Sequence, residues 1–489
     1  DLLENLAGKY SITTVTDLSP VMNQKNWGFC HLYSFFTEIT REYKQRNNGV
    51  NPAISMHYMA FHHWLNRSIK TALNPDSPLR PEEGGWYIYD IELFKEIGAM
   101  KEEDFVRLGG TKVPEEKFQK FLEDQVLAKQ IHEAHKQQDL INAIFKDNFT
   151  KEEIYQLTID SEMKLATSAK SSSFSQESRL IEAKKKYIQS LLDNSNGRTI
   201  QEIKDLVRIK QEELKNGTTA FTREQIELLE KISDGKIYFS KLSSELVKSL
   251  KDNLQKDIKE GMTKLFSKFF FGKENVPVAV MDKQKNIQMA KELFPEISQK
   301  TISISVDEAN RRFSYGLAPE SNTDKVNKHI YLKGSLVDIY EIIAEQIEKY
   351  NNGVWVGYDH NDSFVDHEKG LMSIKAFEHT PRSPYISRYD RFTRGSIISG
   401  GHAVQYVGVI REKVTPLEEM MGVKGKIIGF LMQNSWGTAT GNKGFYVVDT
   451  SYSDAFLFGI TIRDESADKK IIKQNDEAKK AAEHDLNQK

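Results

Sequence analysis

The stretch Asn23-Gln24-Lys25-Asn26-Trp27-Gly28-Phe29-Cys30-His31-Leu32-Tyr33-Ser34-Phe35-Phe36 carries the only cysteine of a 489-residue chain, placed where a loop turns into a helix. One thiol makes no disulfide framework. From Leu32 the apolar residues Phe35, Phe36, Ile39 and Tyr43 recur at helical spacing, which predicts a helix over residues 29–45 buried along one face. Cys30 then falls in the first turn, where unpaired N–H groups and the positive end of the helix dipole favour a thiolate, the nucleophilic form. A lone buried cysteine is ordinarily a small hydrophobe, so the chemical reading depends on what accompanies it.

Two later stretches supply partners. Gly400-Gly401-His402-Ala403-Val404-Gln405-Tyr406-Val407-Gly408 sets a histidine behind two glycines at the head of a strand. Phe430-Leu431-Met432-Gln433-Asn434-Ser435-Trp436-Gly437 ends a second strand in an asparagine. The order Gln24, Cys30, His402, Asn434 resembles that of papain-like cysteine peptidases: Gln24 stands six residues before the cysteine, as the family's oxyanion glutamine does, and the Asn-Ser-Trp-Gly run is intact.

The resemblance implies an α+β, two-domain fold, with a helical left domain bearing Cys30, a β-barrel-like right domain bearing His402 and Asn434, and a cleft between them for a peptide or protein substrate. It implies that His402 forms an ion pair with Cys30 and later protonates the leaving amine, while Asn434 orients the imidazole. Gln24 and the Cys30 backbone N–H would hold the oxyanion, and Trp436 would shield the His402 to Asn434 contact. No metal or organic cofactor is required by that chemistry.

Composition sets outer bounds. A formal charge of -2 and a pI near 6.7 give no basic footprint for nucleic acid. No run of about 18 apolar residues marks a membrane-spanning helix. The chain begins at Asp1, 29 residues before Cys30, which leads to the expectation of a mature exported form, with a cytoplasmic one as the alternative.

Taken in order, residues 11–16 read as a strand and Pro52 to Leu65 as a helix carrying His57, His62 and His63, whose aromatic neighbours suit packing better than metal binding. Glu82-Glu83-Gly84-Gly85-Trp86-Tyr87 follows. A glycine pair lets another backbone come close, and the resemblance places a substrate-binding wall at Gly84 and Gly85, with Trp86 and Tyr87 as candidates for an apolar side-chain pocket.

From about residue 107 the texture changes to charged helices. Thr199-x-x-Glu202 and Thr222-x-x-Gln225 read as capping boxes, and Asn216-Gly217 as a helix end. Leu246, Leu250, Leu254, Ile258, Met262, Leu265, Phe266, Phe269 and Phe270 form one amphipathic stripe, read as core packing, with a membrane-surface role for Phe269-Phe270-Phe271 as the alternative. Residues 166–175 read as an exposed polar loop open to nicking. Tyr331-Leu332, a helix over 335–351, and then Gly353 to Asp359, Ser363-Phe364 and Lys369-Gly370-Leu371-Met372 resemble the bleomycin hydrolase or aminopeptidase C branch, which also carries a helical insertion.

The expected organisation is therefore a papain-like block at 1–106, a mostly helical insertion at 107–330, a second papain-like block at 331–464, and a charged tail at 465–489. Asp359, His360, Asp362, Asp366, His367 and Glu368 form a local cluster that could hold a cation, but read better as a solvated loop with acidic caps. The sequence departs from the family pattern around the nucleophile: Trp27 stands where a disulfide cysteine is common, Phe29 replaces a small residue, and His31 replaces an aromatic. A polar loop near Glu412 to Lys426 is expected to overhang the cleft.

Three functions compete. The first is a cysteine peptidase, endopeptidase favoured because the tail is poorly suited to docking in an apolar cleft, with an aminopeptidase of bleomycin-hydrolase type as alternative. The second is a binding module acting through the helical insertion, and the third an acyltransferase using the same thiol.

Overall fold

The computed structural model describes residues 2–74, 81–110, 120–121, 125–146, 201–234, 244–295, 302–307, 312–314, 331–332, 336–377 and 400–462. The expectations for Thr199, for residues 166–175 and for the tail lie outside them. The chain divides into two compact units, one of Asp1–Trp64, Glu82–Glu115 and Val276–Lys489, the other of Leu65–Pro81 and Glu116–Asn275.

The first unit opens with helix α1 (Leu2–Lys9), strand β1 (Tyr10–Thr14) and helix α2 (Cys30–Arg46), followed by the part of α3 (Met56–Leu73) up to Trp64, by α4 (Tyr87–Ile97) and by α5 (Glu102–Arg107). The apolar face of α2 is the one its periodicity predicts: Leu32, Phe35, Phe36 and Ile39 are buried. Phe35 meets Tyr87 and Phe36 meets Phe94 edge-to-face at 5.0 and 5.4 Å, joining α2 to α4. Each such phenylalanine contributes about 2–3 kcal/mol of burial. Gly98 closes α4 at φ +76°, and a Cβ there would lie 2.0 Å from the backbone of Asn286, so both conformation and packing demand glycine.

The opposite side of α2 is polar yet buried, and it centres on a hydrogen-bonded ion pair. Arg41 donates to Glu38 through two nitrogens at 2.7 and 3.0 Å and to the carbonyls of Thr16 and Asn351, while Glu38 accepts from Gly353 N at 2.8 Å. These bonds, with Gln405 Nε2 donating to Ser34 O, tie α2 to the strand-rich part of the same unit.

Among the described residues that part is an 11-stranded sheet: β2 (Ile302–Asp307), β3 (Arg312–Ser314), β4 (Tyr331–Leu332), β5 (Val354–His360), β6 (Val365–Asp366), β7 (Leu371–Met372), β8 (Gly400–Glu412), β9 (Ile427–Gln433), β10 (Phe445–Asp449) and β11 (Leu457–Ile462), besides β1. The order is β4-β3-β2-β11-β5-β8-β9-β10-β7-β6, antiparallel except for β10 with β7. Strand β8 is its spine. One edge pairs with β5 along Gly400–Tyr406 and with β1 along Gly408–Glu412, and the other pairs with β9. Helix Leu336–Glu348 lays Ile339, Ile343, Ala344 and Ile347 on the core. Near the far end of β8, the Arg411 guanidinium donates to Glu341, Glu348 and the carbonyl of Gly425.

Strands β2 and β3 belong to this sheet, so the helical unit ends at Asn275 rather than near residue 330. Alternation in Ile302-Ser303-Ile304-Ser305 is the local reason these residues are strand. In the second unit, helix Ser244–Phe271 buries Leu250, Leu254, Ile258, Met262 and Phe266, the core stripe expected. Thr222 and Gln225 form their capping box. The membrane-surface alternative for Phe269-Phe270-Phe271 fails: Phe270 and Phe271 are buried, and Phe269 stacks on Phe121 at 4.8 Å. No helix among the described residues is long and apolar enough to cross a membrane.

Candidate active site

Cys30 is the first residue of α2, as the spacing predicts. The loop before it is pinned rather than capped by a side chain. Trp27 N donates back to Gln24 O, and Gly28 N donates to Glu83 Oε2 at 2.8 Å, with no room at Gly28 for a Cβ against Glu83. Backbone N–H groups of Ala403, His31 and Cys30 itself face the sulfur and favour its charged form, but burial dominates and pushes the thiol up to about 11. Ala403 is the residue after His402, so the head of β8 lies against the thiol.

His402 sits opposite Tyr358 in the β8–β5 register. Its Nε2 donates to Asn434 Oδ1 at 2.8 Å, and the same oxygen accepts from Ser435 N at 2.8 Å. That second bond fixes which amide atom faces the ring, and the first fixes the tautomer, leaving Nδ1 as the basic nitrogen. Trp436 stacks on His402, centroids 4.7 Å apart at 19°. Burial holds His402 down to about 4. At pH 7 both shifts favour an uncharged thiol beside an uncharged imidazole. Burial thus works against the ion pair expected from the resemblance.

The Asn-Ser-Trp-Gly run does more than hold the histidine. Ser435 O accepts from Gln24 N at 2.7 Å, and Ser435 Oγ donates to Gln24 Oε1. Gln24 Nε2 spends one hydrogen on Trp27 O at 2.6 Å and keeps the other. Gly437, at φ +77°, donates its N–H to Met22 O beside Asn23. Residues 434–437 thus bind the loop leading to Cys30 as well as the base.

The Gly84 to Tyr87 wall divides. Gly84 faces open space, while a Cβ on Gly85 would strike the His31 ring at 2.6 Å. Trp86 is 43% exposed and packs on Phe458 and Trp355. Tyr87 is buried against Phe35, so Trp86 alone of the two reaches solvent. His31 explains the departure beside the nucleophile. It is fully buried, with Nδ1 2.6 Å from Asp90 Oδ1 and Nε2 2.8 Å from Glu83 O, linking α2 to the glycine wall. Sequence reasoning missed Asp90, whose signal was an acid on the apolar run of α4.

Other expectations resolve plainly. His57 meets Glu102, His62 donates to Val280 O, and His63 donates to Glu82 O, three separate contacts. The 412–426 loop joins β8 to β9 at the end remote from His402, about 34 Å along the strand, so it does not overhang the site. In the 359–368 loop Asp366 caps the N–H groups of Glu368 and Lys369 as expected, but His360, Asp362 and His367 converge.

Several known proteins are similar to parts of this chain. Residues 282–484 match the model of the Peptidase C1-like family. Aminopeptidase C of Lactobacillus delbrueckii subsp. lactis is 27% identical over 156 residues, 31% of each chain, so the match spans about a third of that relative's length. Among solved structures, PepW from Lactobacillus rhamnosis aligns at 15% identity and TM-score 0.46, over 97% of this chain and 86% of its own. A clostridial cysteine protease aligns at 14% and TM-score 0.17, over 34% and 30%. Over residues 282–484 the chain is similar to the Peptidase C1-like family, and over 156 residues to an aminopeptidase C.

Proposed function

We propose that the protein is a cysteine peptidase in which Cys30 Sγ attacks the scissile carbonyl and His402 Nδ1 takes the thiol proton. The observation that carries this reading is the His402 Nε2 to Asn434 Oδ1 bond under the stacked Trp436 ring, which presents Nδ1 as base with Cys30 packed against Ala403. Since burial favours the neutral pair, the proton moves from sulfur to imidazole as attack proceeds rather than beforehand. The imidazolium then protonates the leaving amine, and water releases the acyl group. The free hydrogen of Gln24 Nε2 and the Cys30 backbone N–H serve the oxyanion, each good donor contributing roughly 3–4 kcal/mol. Gly84 and Trp86 are the wall for the substrate.

Endopeptidase action is the form we favour, from the tail composition; the Aminopeptidase C relative supports the amino form as the second reading. Two measurements test these points. Cys30→Ala is expected to abolish hydrolysis with little change in melting temperature, and retained turnover overturns the nucleophile. A peptide with a blocked N-terminus should be cleaved alongside the same peptide with a free amine; turnover confined to the free amine makes the enzyme an aminopeptidase.

A further inference from the structure

The Trp436 indole that stacks on His402 has another neighbour. Its ring meets the His360 ring edge-on at 5.1 Å, and His367 lies 5.9 Å away. Both imidazoles turn Nε2 toward one carboxylate: His367 Nε2 is 2.6 Å and His360 Nε2 3.3 Å from Asp362 Oδ1. All three ligand-bearing atoms lie within 4.8 Å of one another.

We propose that His360, Asp362 and His367 bind one divalent transition metal ion of the zinc class, through the two Nε2 atoms and an Asp362 oxygen. Two imidazoles and a carboxylate are a common three-ligand set for zinc, with a fourth position left to water. In a tetrahedral site with bonds near 2.0–2.1 Å, ligand atoms stand about 3.3 Å apart. The His360 edge already has that spacing, and the His367 edge has to open by less than about 1 Å.

Outside the cluster, the other nitrogen of each ring is already partnered. His360 Nδ1 lies 3.3 Å from Tyr358 Oη on β5, and His367 Nδ1 3.0 Å from Tyr446 Oη on β10. Outer partners of this kind fix the tautomer of a ligating histidine and aim its free nitrogen at the metal. On binding, each ring moves its proton from Nε2 to Nδ1 and donates it to the tyrosine oxygen; the ion takes the place of the protons now shared with Asp362. The backbone is set for this, since Asn361 N donates to Tyr452 Oη and Asn361 Oδ1 caps Ser363 N. His360 is buried, His367 half-buried and Asp362 exposed, so the ion reaches the site from solvent.

The same contacts would serve a metal-free hydrogen-bonded turn, and binding separates the two. The full chain in the Cys30→Ala background, which removes the rival thiol, is stripped with a chelator and titrated with Zn²⁺ by calorimetry and against a chromophoric chelator. The expected result is one ion per chain with a micromolar or lower Kd, with Mn²⁺ weaker and Cu²⁺ tighter. Asp362→Asn and His367→Gln alter exposed or half-exposed side chains and should each weaken Zn²⁺ by about 100-fold or more; Tyr446→Phe should weaken it by about 10-fold. Absence of stoichiometric binding overturns the proposal. So does binding left unchanged in both ligand variants with near-UV circular dichroism intact. Neither readout depends on peptidase activity.

Discussion

Lowering the pH from 7 to 5 should destabilise this protein through histidines that carry no surface charge in the folded state. His62 on α3 is 4% exposed, donates Nε2 to Val280 O at 3.1 Å, and lies among the rings of Tyr58 and Phe61. Burial lowers it from 6.5 to about 4, as it does His402. Between those values the unfolded chain binds more protons, so stability is full above 6.5 and is lost as pH falls toward 4. At pH 5 each group forfeits about 2 kcal/mol, about 4 kcal/mol together. His62→Gln keeps a donor for Val280 O and removes the titration, so it should halve the fall while leaving the candidate site intact. Urea unfolding followed by tryptophan emission at pH 7 and 5 measures both slopes. A wild-type fall under about 1 kcal/mol, or an equal fall in His62→Gln, refutes the argument that burial sets these groups.

Further outcomes follow from the site and its frame. Alkylation of Cys30 by iodoacetamide should keep accelerating above pH 9, since burial pushes the thiol up to about 11; a rate that is flat from pH 5 to 8 would instead reveal a preformed ion pair. Ser435→Ala frees Gln24 Oε1 and should lower kcat by about 10-fold with KM little changed, against about 10²–10³-fold for Gln24→Ala, in steady-state assays on one peptide. Arg411→Ala leaves Glu348 and Glu341 without their shared guanidinium and should cost about 3 kcal/mol in urea unfolding.

What was legible in the sequence was whatever lay along one element. The face of α2, the place of Cys30, and the helix after residue 335 are periodicity, which a single segment displays. His402 and Asn434 were legible because a histidine before a strand and an asparagine after one stand in fixed local runs. What joins them was not. Ser435 looks like a spacer until the sheet brings it onto Gln24, and His31 like a lost aromatic until α4 places Asp90 beneath it. The strand character of Ile302-Ser303-Ile304-Ser305 was not read because so short an alternation needs β11 as partner to count as a strand.

The register of β1 has a consequence for how the chain is made. Tyr10 to Thr14 pair with Glu412 to Gly408, roughly 400 residues later in synthesis. At ribosomal speeds of about 5–20 residues per second, the first strand waits some 20–80 s for its partner to be translated. During that interval it is a strand without its partner, the kind of segment holdase chaperones recognise. Deleting residues 1–15 would reverse the hazard: the Gly408–Glu412 edge of the finished sheet would stand bare, open to strands from other chains.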